Sequence, residues 1–275
     1  MELLINNNSE IAVIQYYTPS TLSSAAYVPN VIERNKEYCT KFNLDYILDT
    51  REDYIKATLN FDTKQQRDFT WYKIHFISTI LSSQKYKYVI FLDIDAAFID
   101  LTYDVKTVLN QYEQYDFLVV NDQGGDLING GVLVFKNTTW SQEFLKTIWR
   151  AGEECHRGYF LKGVWHEQTI ISCALMLNSI ARSKTFIFNW WNHKPLLNYP
   201  IINYLGKCHN PLVVHGWLLK RDGFDFSIEH IKKEKLETDV SPEDIKREES
   251  NNLKCVNDDQ PEYISTSRGY SILLK

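Results

Sequence analysis

The chain has 275 residues, of which 44% are hydrophobic and 24% charged, and this is enough to bury the core of one large α/β domain. Its net charge of -5 gives no broad positive field for a nucleic-acid backbone, so nucleic-acid binding is excluded as a main role. The sequence shows no secretory signal and no apolar stretch of about 20 residues, which predicts a cytoplasmic protein without a membrane anchor.

The first part of the chain alternates short apolar runs with helical patterns. Apolar runs predict strands over residues 11–17 and 45–48, and a helical pattern over 31–42 lies between them. A second helical pattern covers 70–83, and a buried-strand pattern that contains two aspartates follows over 86–99. This order is typical of a βαβ beginning.

The later part of the chain continues the alternation. Apolar runs predict strands over residues 117–121, 131–135 and 211–215. Helical spacing predicts helices over 141–149 and 167–177. The sequence therefore predicts an α/β fold with a mostly parallel central sheet flanked by helices.

A change in composition divides the chain near residue 227. Residues 1–227 carry the alternating pattern and form the predicted domain. Residues 228–275 are charged and poor in apolar side chains over much of their length. We expect this extension to pack partly on the same domain, through its more apolar end at Tyr270 to Leu274.

Two acidic residues close the most strongly apolar strand pattern. Asp93 and Asp95 follow the run from Val89 to Leu92, and ligands of open α/β sheets collect beyond the carboxyl ends of strands. Two neighbouring carboxylates repel each other unless a cation lies between them, and Mn²⁺ or Mg²⁺ suits oxygen ligands. The pair therefore predicts a divalent-metal site, and the alternative is a surface turn with two solvated acids.

A histidine closes the last predicted strand in the same way. His215 can supply a third metal ligand through a neutral imidazole, although a histidine at a strand end is often only a hydrogen-bonded structural residue. Lys220 follows five residues later, where its charge can meet a leaving diphosphate.

Two further segments can bring polar groups near the crevice that is expected beyond the carboxyl ends of the strands. Residues 124–131 contain four glycines in eight positions, which suits close approach of the backbone to a ligand but also suits a tight turn. Glu167 and Gln168 begin an apolar helix, so their side chains can project into the crevice. A zinc-protease pattern fails here because Ile170 stands where the second histidine is needed.

The acidic pair alone leaves other functions open. Haloacid-dehalogenase-type phosphatases share such a pair, but their pattern has Thr or Val two residues after the second aspartate, where this chain has Ala97. A non-catalytic sugar-binding or scaffold protein on the same fold is the second alternative, and it need not keep metal ligands.

The order of motifs resembles glycosyltransferase family 34, whose members are retaining galactosyl-, mannosyl- and xylosyltransferases. The resemblance extends over residues 11–224. The segments that carry it are Arg34-Asn35-Lys36, Trp71-Tyr72-Lys73-Ile74, Phe91 to Ala96, Asn129-Gly130-Gly131, Glu167-Gln168 and Val214-His215.

The resemblance implies a GT-A fold over 1–227 and a retaining transfer from a nucleotide-sugar to a glycan or other hydroxyl acceptor, with a UDP-sugar favoured over GDP-mannose. It implies metal ligation of Mn²⁺ or Mg²⁺ by Asp93, Asp95 and His215, and catalytic roles for Gln168, Glu167 and Lys220. The donor-binding residues that it implies are Tyr16, Tyr17, Thr18, Lys73, Asp93, Asp126, Asn129 and Gly130.

Acceptor binding is expected in the variable loops. These are residues 49–68, 151–165 and 190–210. Trp165, Trp190 and Trp191 can stack on acceptor sugars, although core packing explains them equally well. The oligomeric state is left open.

Overall fold

A computed structural model of the chain describes residues 1–5, 9–18, 20, 27–60, 67–122, 127–155, 167–188, 199–200, 212–215, 264–265 and 271–272. Its strands are β1 (Glu2–Leu4), β2 (Ile11–Tyr16), β3 (Asp45–Asp49), β4 (Tyr88–Leu92), β5 (Ala96–Phe98), β6 (Phe117–Val120), β7 (Asn129–Lys136), β8 (Thr185–Phe188), β9 (Tyr199–Pro200), β10 (Val213–His215), β11 (Ile264–Ser265) and β12 (Ser271–Ile272). Its helices are α1 (Val28–Phe42), α2 (Glu52–Thr58), α3 (Tyr72–Ser82), α4 (Val105–Gln111), α5 (Thr139–Cys155), α6 (Glu167–Leu177) and α7 (Ser179–Ser183), and a 3-10 turn covers Phe69–Trp71.

The central sheet has seven strands in the order β1-β3-β2-β4-β7-β6-β8. Strands β3, β2, β4, β6 and β8 run in one direction, and β1 and β7 run against them. The prediction of a mostly parallel sheet is therefore confirmed. The reversed β7 lies beside β4 and brings the glycine-rich start of β7 next to the acidic end of β4.

Both faces of this sheet are buried, which explains why its strands read as continuous apolar runs. In β4, Tyr88, Ile90 and Leu92 pack with α1 and α4 on one face, whereas Val89 and Phe91 pack with α3, α5 and α6 on the other. The alternation is the period-two geometry of a strand. The predicted flanking helices are confirmed on both faces.

The predicted strand over 86–99 is wrong in one respect, because it is two strands in different sheets. After β4 the chain turns at Asp93 to Asp95, where the Ala96 amide donates to the Asp93 carbonyl over 2.8 Å. Strand β5 then leaves the central sheet and pairs with β10, which also pairs with β9. The strand predicted over 211–215 thus belongs to this small sheet, and no periodicity could show the change because both strands are apolar.

Other elements differ from the prediction in extent. Helix α1 begins before residue 31, with a proline in its first turn, a position where the missing amide costs nothing. Helix α2 occupies part of the segment 49–68, which the sequence analysis treated as an acceptor-binding loop. Of the extension 228–275, the structure describes only β11 and β12, which form an antiparallel pair, so the packing expected for the extension lies outside the described residues.

Candidate metal and donor site

The two predicted acidic ligands lie in the turn that joins β4 to β5. The Asp93 amide donates to the Gly131 carbonyl over 2.8 Å, which ties the turn to β7. The Asp95 residue is 3% exposed, whereas the Asp93 side chain is 30% exposed. A surface turn with two solvated acids, the alternative left open by the sequence, does not describe this burial.

His215 reaches the acidic pair through the small sheet. In the antiparallel register of β5 and β10, His215 lies opposite Ala96, the residue after Asp95. Its Nε2 atom is 3.6 Å from Asp93 Oδ2 and 3.4 Å from Asp95 Oδ1. One ligand atom from each of the three residues lies within 4.8 Å of the other two. The structure thus brings together all three residues predicted as metal ligands.

The local packing fits a bound divalent ion. His215 is 4% exposed, and a Cβ added at Gly131 would lie 2.1 Å from its Cε1 atom, so the imidazole occupies space that only a glycine leaves free. Two carboxylates and one imidazole form a donor set that suits Mn²⁺ or Mg²⁺. Without a cation, the closeness of the two carboxylates to each other would be unfavourable.

Lys73 connects this cluster to helix α6. Its Nζ atom lies 3.1 Å from Asp93 Oδ1 and 2.8 Å from Glu167 Oε1, and it donates to the Gly130 carbonyl over 2.9 Å. Burial opposes the charged form of Lys73, but the Asp93 and Glu167 carboxylates outweigh burial and raise the lysine pKa above its ordinary value. Lys73 therefore stays protonated and compensates carboxylates on two elements.

The start of β7 meets the start of α6 at the same place. Gln168 Oε1 accepts from the Gly130 amide over 2.7 Å, and a Cβ added at Gly130 would lie 3.2 Å from Glu167 Oε1. Asn129 Oδ1 accepts from the Gly131 amide over 2.9 Å. The predicted residues Glu167, Gln168, Asn129 and Gly130 therefore lie close together beside the acidic turn.

Three of the predicted donor-binding residues, Tyr16, Tyr17 and Thr18, lie at the end of β2. Tyr16 ends that strand, and its hydroxyl donates to the Phe69 carbonyl over 2.7 Å. The Tyr17 amide donates to the Asp49 carbonyl over 3.1 Å, and Thr18 is 3% exposed. All three lie at the carboxyl end of β2, on the side toward β3.

Asp49 is a residue of this edge that the sequence analysis missed. It accepts a hydrogen bond from the Tyr72 hydroxyl over 2.7 Å and pairs with Arg51 over 2.7 Å. Burial acts to raise its pKa, but the hydrogen bonds from Arg51 and Tyr72 outweigh burial and lower it. The signal was available, because Asp49 closes β3 as Asp93 closes β4.

Some predicted residues fall outside the described part of the chain. They are Asp126, Lys220, Trp165, Trp190 and Trp191. Their predicted roles stay predictions.

The sequence match decides the family. A profile of the family described as nucleotide-diphospho-sugar transferase matches residues 33–171, half of the chain. The chain belongs to this family. The matched region contains Asp93, Asp95, Glu167 and Gln168 but ends before His215. The enzyme class of the family is glycosyl transfer from a nucleotide-sugar donor, and the narrower resemblance to family 34 stays a proposal.

Solved structures of three glycosyltransferases are similar to the chain to different degrees. A glycosyltransferase involved in the glycosylation of the major capsid of PBCV-1 is 13% identical, with a TM-score of 0.53 over 74% of this chain and 92% of its own. Mouse xyloside xylosyltransferase 1 is 7% identical, with a TM-score of 0.47 over 75% and 97%. The galactosyltransferase LgtC is 13% identical, with a TM-score of 0.45 over 84% and 98%. The first of these supports the predicted GT-A-like fold.

Two further findings concern relatives of the chain and its relation to membranes. No curated protein matches the chain significantly. Among the described residues, no helix combines the length and the apolar character that crossing a membrane requires. The predicted cytoplasmic location stays a prediction.

Proposed function

We propose that the chain is a metal-dependent, retaining glycosyltransferase that moves a hexose or pentose from a nucleotide-sugar onto a hydroxyl of a glycan or other acceptor. The observation that carries the proposal is the convergence of Asp93, Asp95 and His215 within 4.8 Å at the carboxyl edge of the central sheet. The three side chains come from a turn and from a separate strand, so simple folding of one loop does not explain their meeting.

The proposed metal is Mn²⁺ or Mg²⁺. Asp95 and His215 are assigned as direct ligands, and Asp93 contacts the metal or the donor ribose. When bound, the ion supplies Lewis-acid stabilisation of the negative charge that builds on the departing diphosphate. Lys220, on the chain five residues after His215, is assigned to the same diphosphate.

The sugar is assigned to the crevice between the acidic turn and α6. Gln168, held against the Gly130 amide, faces the reacting side of the sugar, with Glu167 beside it. Lys73 holds Glu167 and Asp93 at fixed separation through its two ion pairs. Because Glu167 is engaged by Lys73, we assign it to positioning the sugar and not to nucleophilic attack.

The proposed reaction proceeds by attack on the same face from which the leaving group departs. The bond between the anomeric carbon and the diphosphate oxygen breaks, and a new bond forms between that carbon and the acceptor oxygen. The acceptor hydroxyl proton passes to the departing phosphate oxygen, so no residue of the chain has to act as the base.

The donor is proposed to carry a uridine base, bound at the edge formed by Tyr16, Tyr17 and Thr18. The resemblance to glycosyltransferase family 34 supports UDP-linked galactose, xylose or glucose, with GDP-mannose as the alternative. A thermal-shift panel of these donors with Mn²⁺ tests the assignment, because a ligand that binds only the folded state raises the melting temperature. If GDP-mannose alone stabilises the protein, the donor base is guanosine and the assignment of uridine is wrong.

The metal requirement has its own test. The substitution Asp95→Ala is expected to abolish sugar transfer while the protein stays folded, since Asp95 lies at the edge of the core in a turn. Sugar transfer is measured with and without a chelator, and folding by circular dichroism. Full activity of the wild-type protein in the chelator contradicts the proposal. Binding of the donor by the wild-type protein without any sugar transfer supports the non-catalytic alternative.

The phosphatase alternative has lost its support. The family and the fold are those of sugar transferases. A colorimetric screen for phosphate release from small phosphomonoesters is expected to be negative.

A further inference from the structure

A group of buried polar side chains lies directly beneath the acidic turn, on the face covered by α1. Gln15 is in the middle of the apolar strand β2, Asn35 is in α1 and Tyr46 is in β3. Gln15 and Asn35 are 0% exposed and Tyr46 is 1% exposed. A buried amide is costly unless its hydrogen bonds are made, so these residues need a reason to be there.

Their hydrogen bonds lead to the two ends of the turn. Gln15 Nε2 donates to the Asp93 carbonyl over 2.9 Å and to the Ala96 carbonyl over 3.3 Å. Asn35 Nδ2 donates to the same Ala96 carbonyl over 3.0 Å. The two amides therefore hold the backbone on both sides of Asp95.

The same side chains hold each other and the following strand. Gln15 Oε1 accepts from Asn35 Nδ2 over 2.9 Å and from the Tyr46 hydroxyl over 2.6 Å. Asn35 Oδ1 accepts from the Phe98 amide over 2.9 Å. Each amide group in this network has both its donor and its acceptor engaged, which fixes the orientation of both side chains.

We infer that Gln15, Asn35 and Tyr46 are positioning residues that set the geometry of the metal ligands without touching the metal or the donor. They locate the backbone of Asp93 directly, and through Ala96 and Phe98 they locate β5. Because Ala96 lies opposite His215 in the register of β5 and β10, the network also sets the distance of the imidazole from the carboxylates. The inference rests on the metal site of the proposed function.

The network acts at the point where the chain leaves the central sheet. Asp93 to Asp95 belong to neither sheet, and the turn is tied to β7 by the bond from the Asp93 amide to the Gly131 carbonyl. Groups that orient metal ligands are worth about 10-fold to 100-fold in metal affinity. Loss of the network is therefore expected to weaken metal binding more than it weakens the fold.

A matched pair of substitutions tests this expectation. Asn35→Leu removes two donated bonds and one accepted bond beneath the turn. Asn137→Leu removes the same number, because Asn137 donates to the Leu81 and Tyr86 carbonyls and accepts from Gln142. Asn137 follows β7 beside the amino end of β4, at the opposite edge of the sheet from the turn.

The readout is the dissociation constant of Mn²⁺, measured by calorimetric titration of the protein without donor or acceptor. Asn35→Leu is expected to raise it about 10-fold, and Asn137→Leu is expected to leave it within about 2-fold of the wild-type value, the ordinary scatter of a surface or remote change. The melting temperatures of both variants are measured to check that the two substitutions lower stability to a comparable extent. Gln15→Met, which keeps the length of the side chain and removes both polar groups, is expected to behave as Asn35→Leu does.

Tyr46→Phe covers the case in which the amide variants do not fold. It removes one hydroxyl that donates to Gln15 and leaves the core contacts of the ring in place. A rise of about 3-fold in the Mn²⁺ dissociation constant is expected, smaller than for the amide variants because only one hydrogen bond of the network is lost.

The outcomes separate the two proposals. If the wild-type protein does not bind Mn²⁺, or if Asp95→Ala binds it equally well, the metal site itself is wrong. The second case is that the wild-type protein binds Mn²⁺ and that Tyr46→Phe and every folded amide variant bind it equally tightly. In that case only the positioning network is overturned. Equal losses in the Asn35 and Asn137 variants would also overturn it, because the effect would then be general destabilisation.

Discussion

The contact between Gly131 and His215 gives a sharp prediction, because a single added methyl group should displace the proposed metal ligand His215. A Cβ at Gly131 would lie 2.1 Å from His215 Cε1, whereas ordinary contacts begin at 3.4 Å, so the imidazole must move by roughly 1.3 Å or the strands must separate. Misplacement of a reacting group by about 1 Å can cost about 100-fold in rate. We expect Gly131→Ala to weaken Mn²⁺ binding by about 10-fold to 100-fold, as loss of correct ligand orientation does.

A second glycine provides the control. A Cβ at Gly152 in α5 would lie 2.6 Å from Arg67 and from the Trp71 ring, so Gly152→Ala is also a steric clash but lies away from the acidic turn. Calorimetric titration with Mn²⁺ and thermal unfolding are measured for both variants. We expect both to melt at lower temperature and only Gly131→Ala to lose metal affinity. Wild-type metal affinity in folded Gly131→Ala would refute the placement of His215 against β7.

Two other predictions concern the charges around the site. Lys73→Met removes a buried ammonium that pairs with the Asp93 and Glu167 carboxylates, so urea unfolding should show a loss of about 3–5 kcal/mol. Lys146→Met, which breaks an exposed pair with Glu143, should show no measurable change. Equal effects of the two substitutions would contradict the argument. For Asp49, the lowered pKa means that its ionised form stabilises the fold above the unfolded pKa of about 4 and that this contribution is lost as pH falls through the lower folded pKa. In urea unfolding, Asp49→Asn should therefore lower the free energy of unfolding more at pH 7 than at pH 3. A loss that does not depend on pH would contradict this prediction. The same pH-dependent loss in the control Asp53→Asn, at an exposed aspartate, would also contradict it.

The strand-ending acids were predictable because their signal is local. Four buried apolar residues followed by Asp93 place a charge at the end of a strand, and the period of two places the strand between helices. The same local signal, an apolar strand that ends in an acid, marks Asp49 at the end of β3. What a local pattern cannot show is that β5 leaves the sheet and pairs with β10, because this pairing joins residues that are far apart in sequence.

The polar residues under the turn show a different limit. Gln15 interrupts an apolar strand, so the sequence signals that some buried partner exists, but it does not identify the carbonyls of Asp93 and Ala96 as that partner. Lys73 is similar, since a lysine in an apolar helix indicates an ion pair without naming Glu167. Both partners are fixed by the packing of separate elements on the sheet.

The charge of the assembled site explains why its parts depend on one another. Three carboxylates, from Asp93, Asp95 and Glu167, face one ammonium from Lys73 and an imidazole that is neutral when it ligates metal. Among these described groups, three negative charges against one positive give a net charge of −2, which a divalent cation would balance. A donor diphosphate adds further negative charge at the same place, and like charges at this distance repel strongly in a buried setting. The donor should therefore bind weakly until the cation is present, so omission of Mn²⁺ from a donor titration should lower the donor affinity itself and not only the rate of transfer.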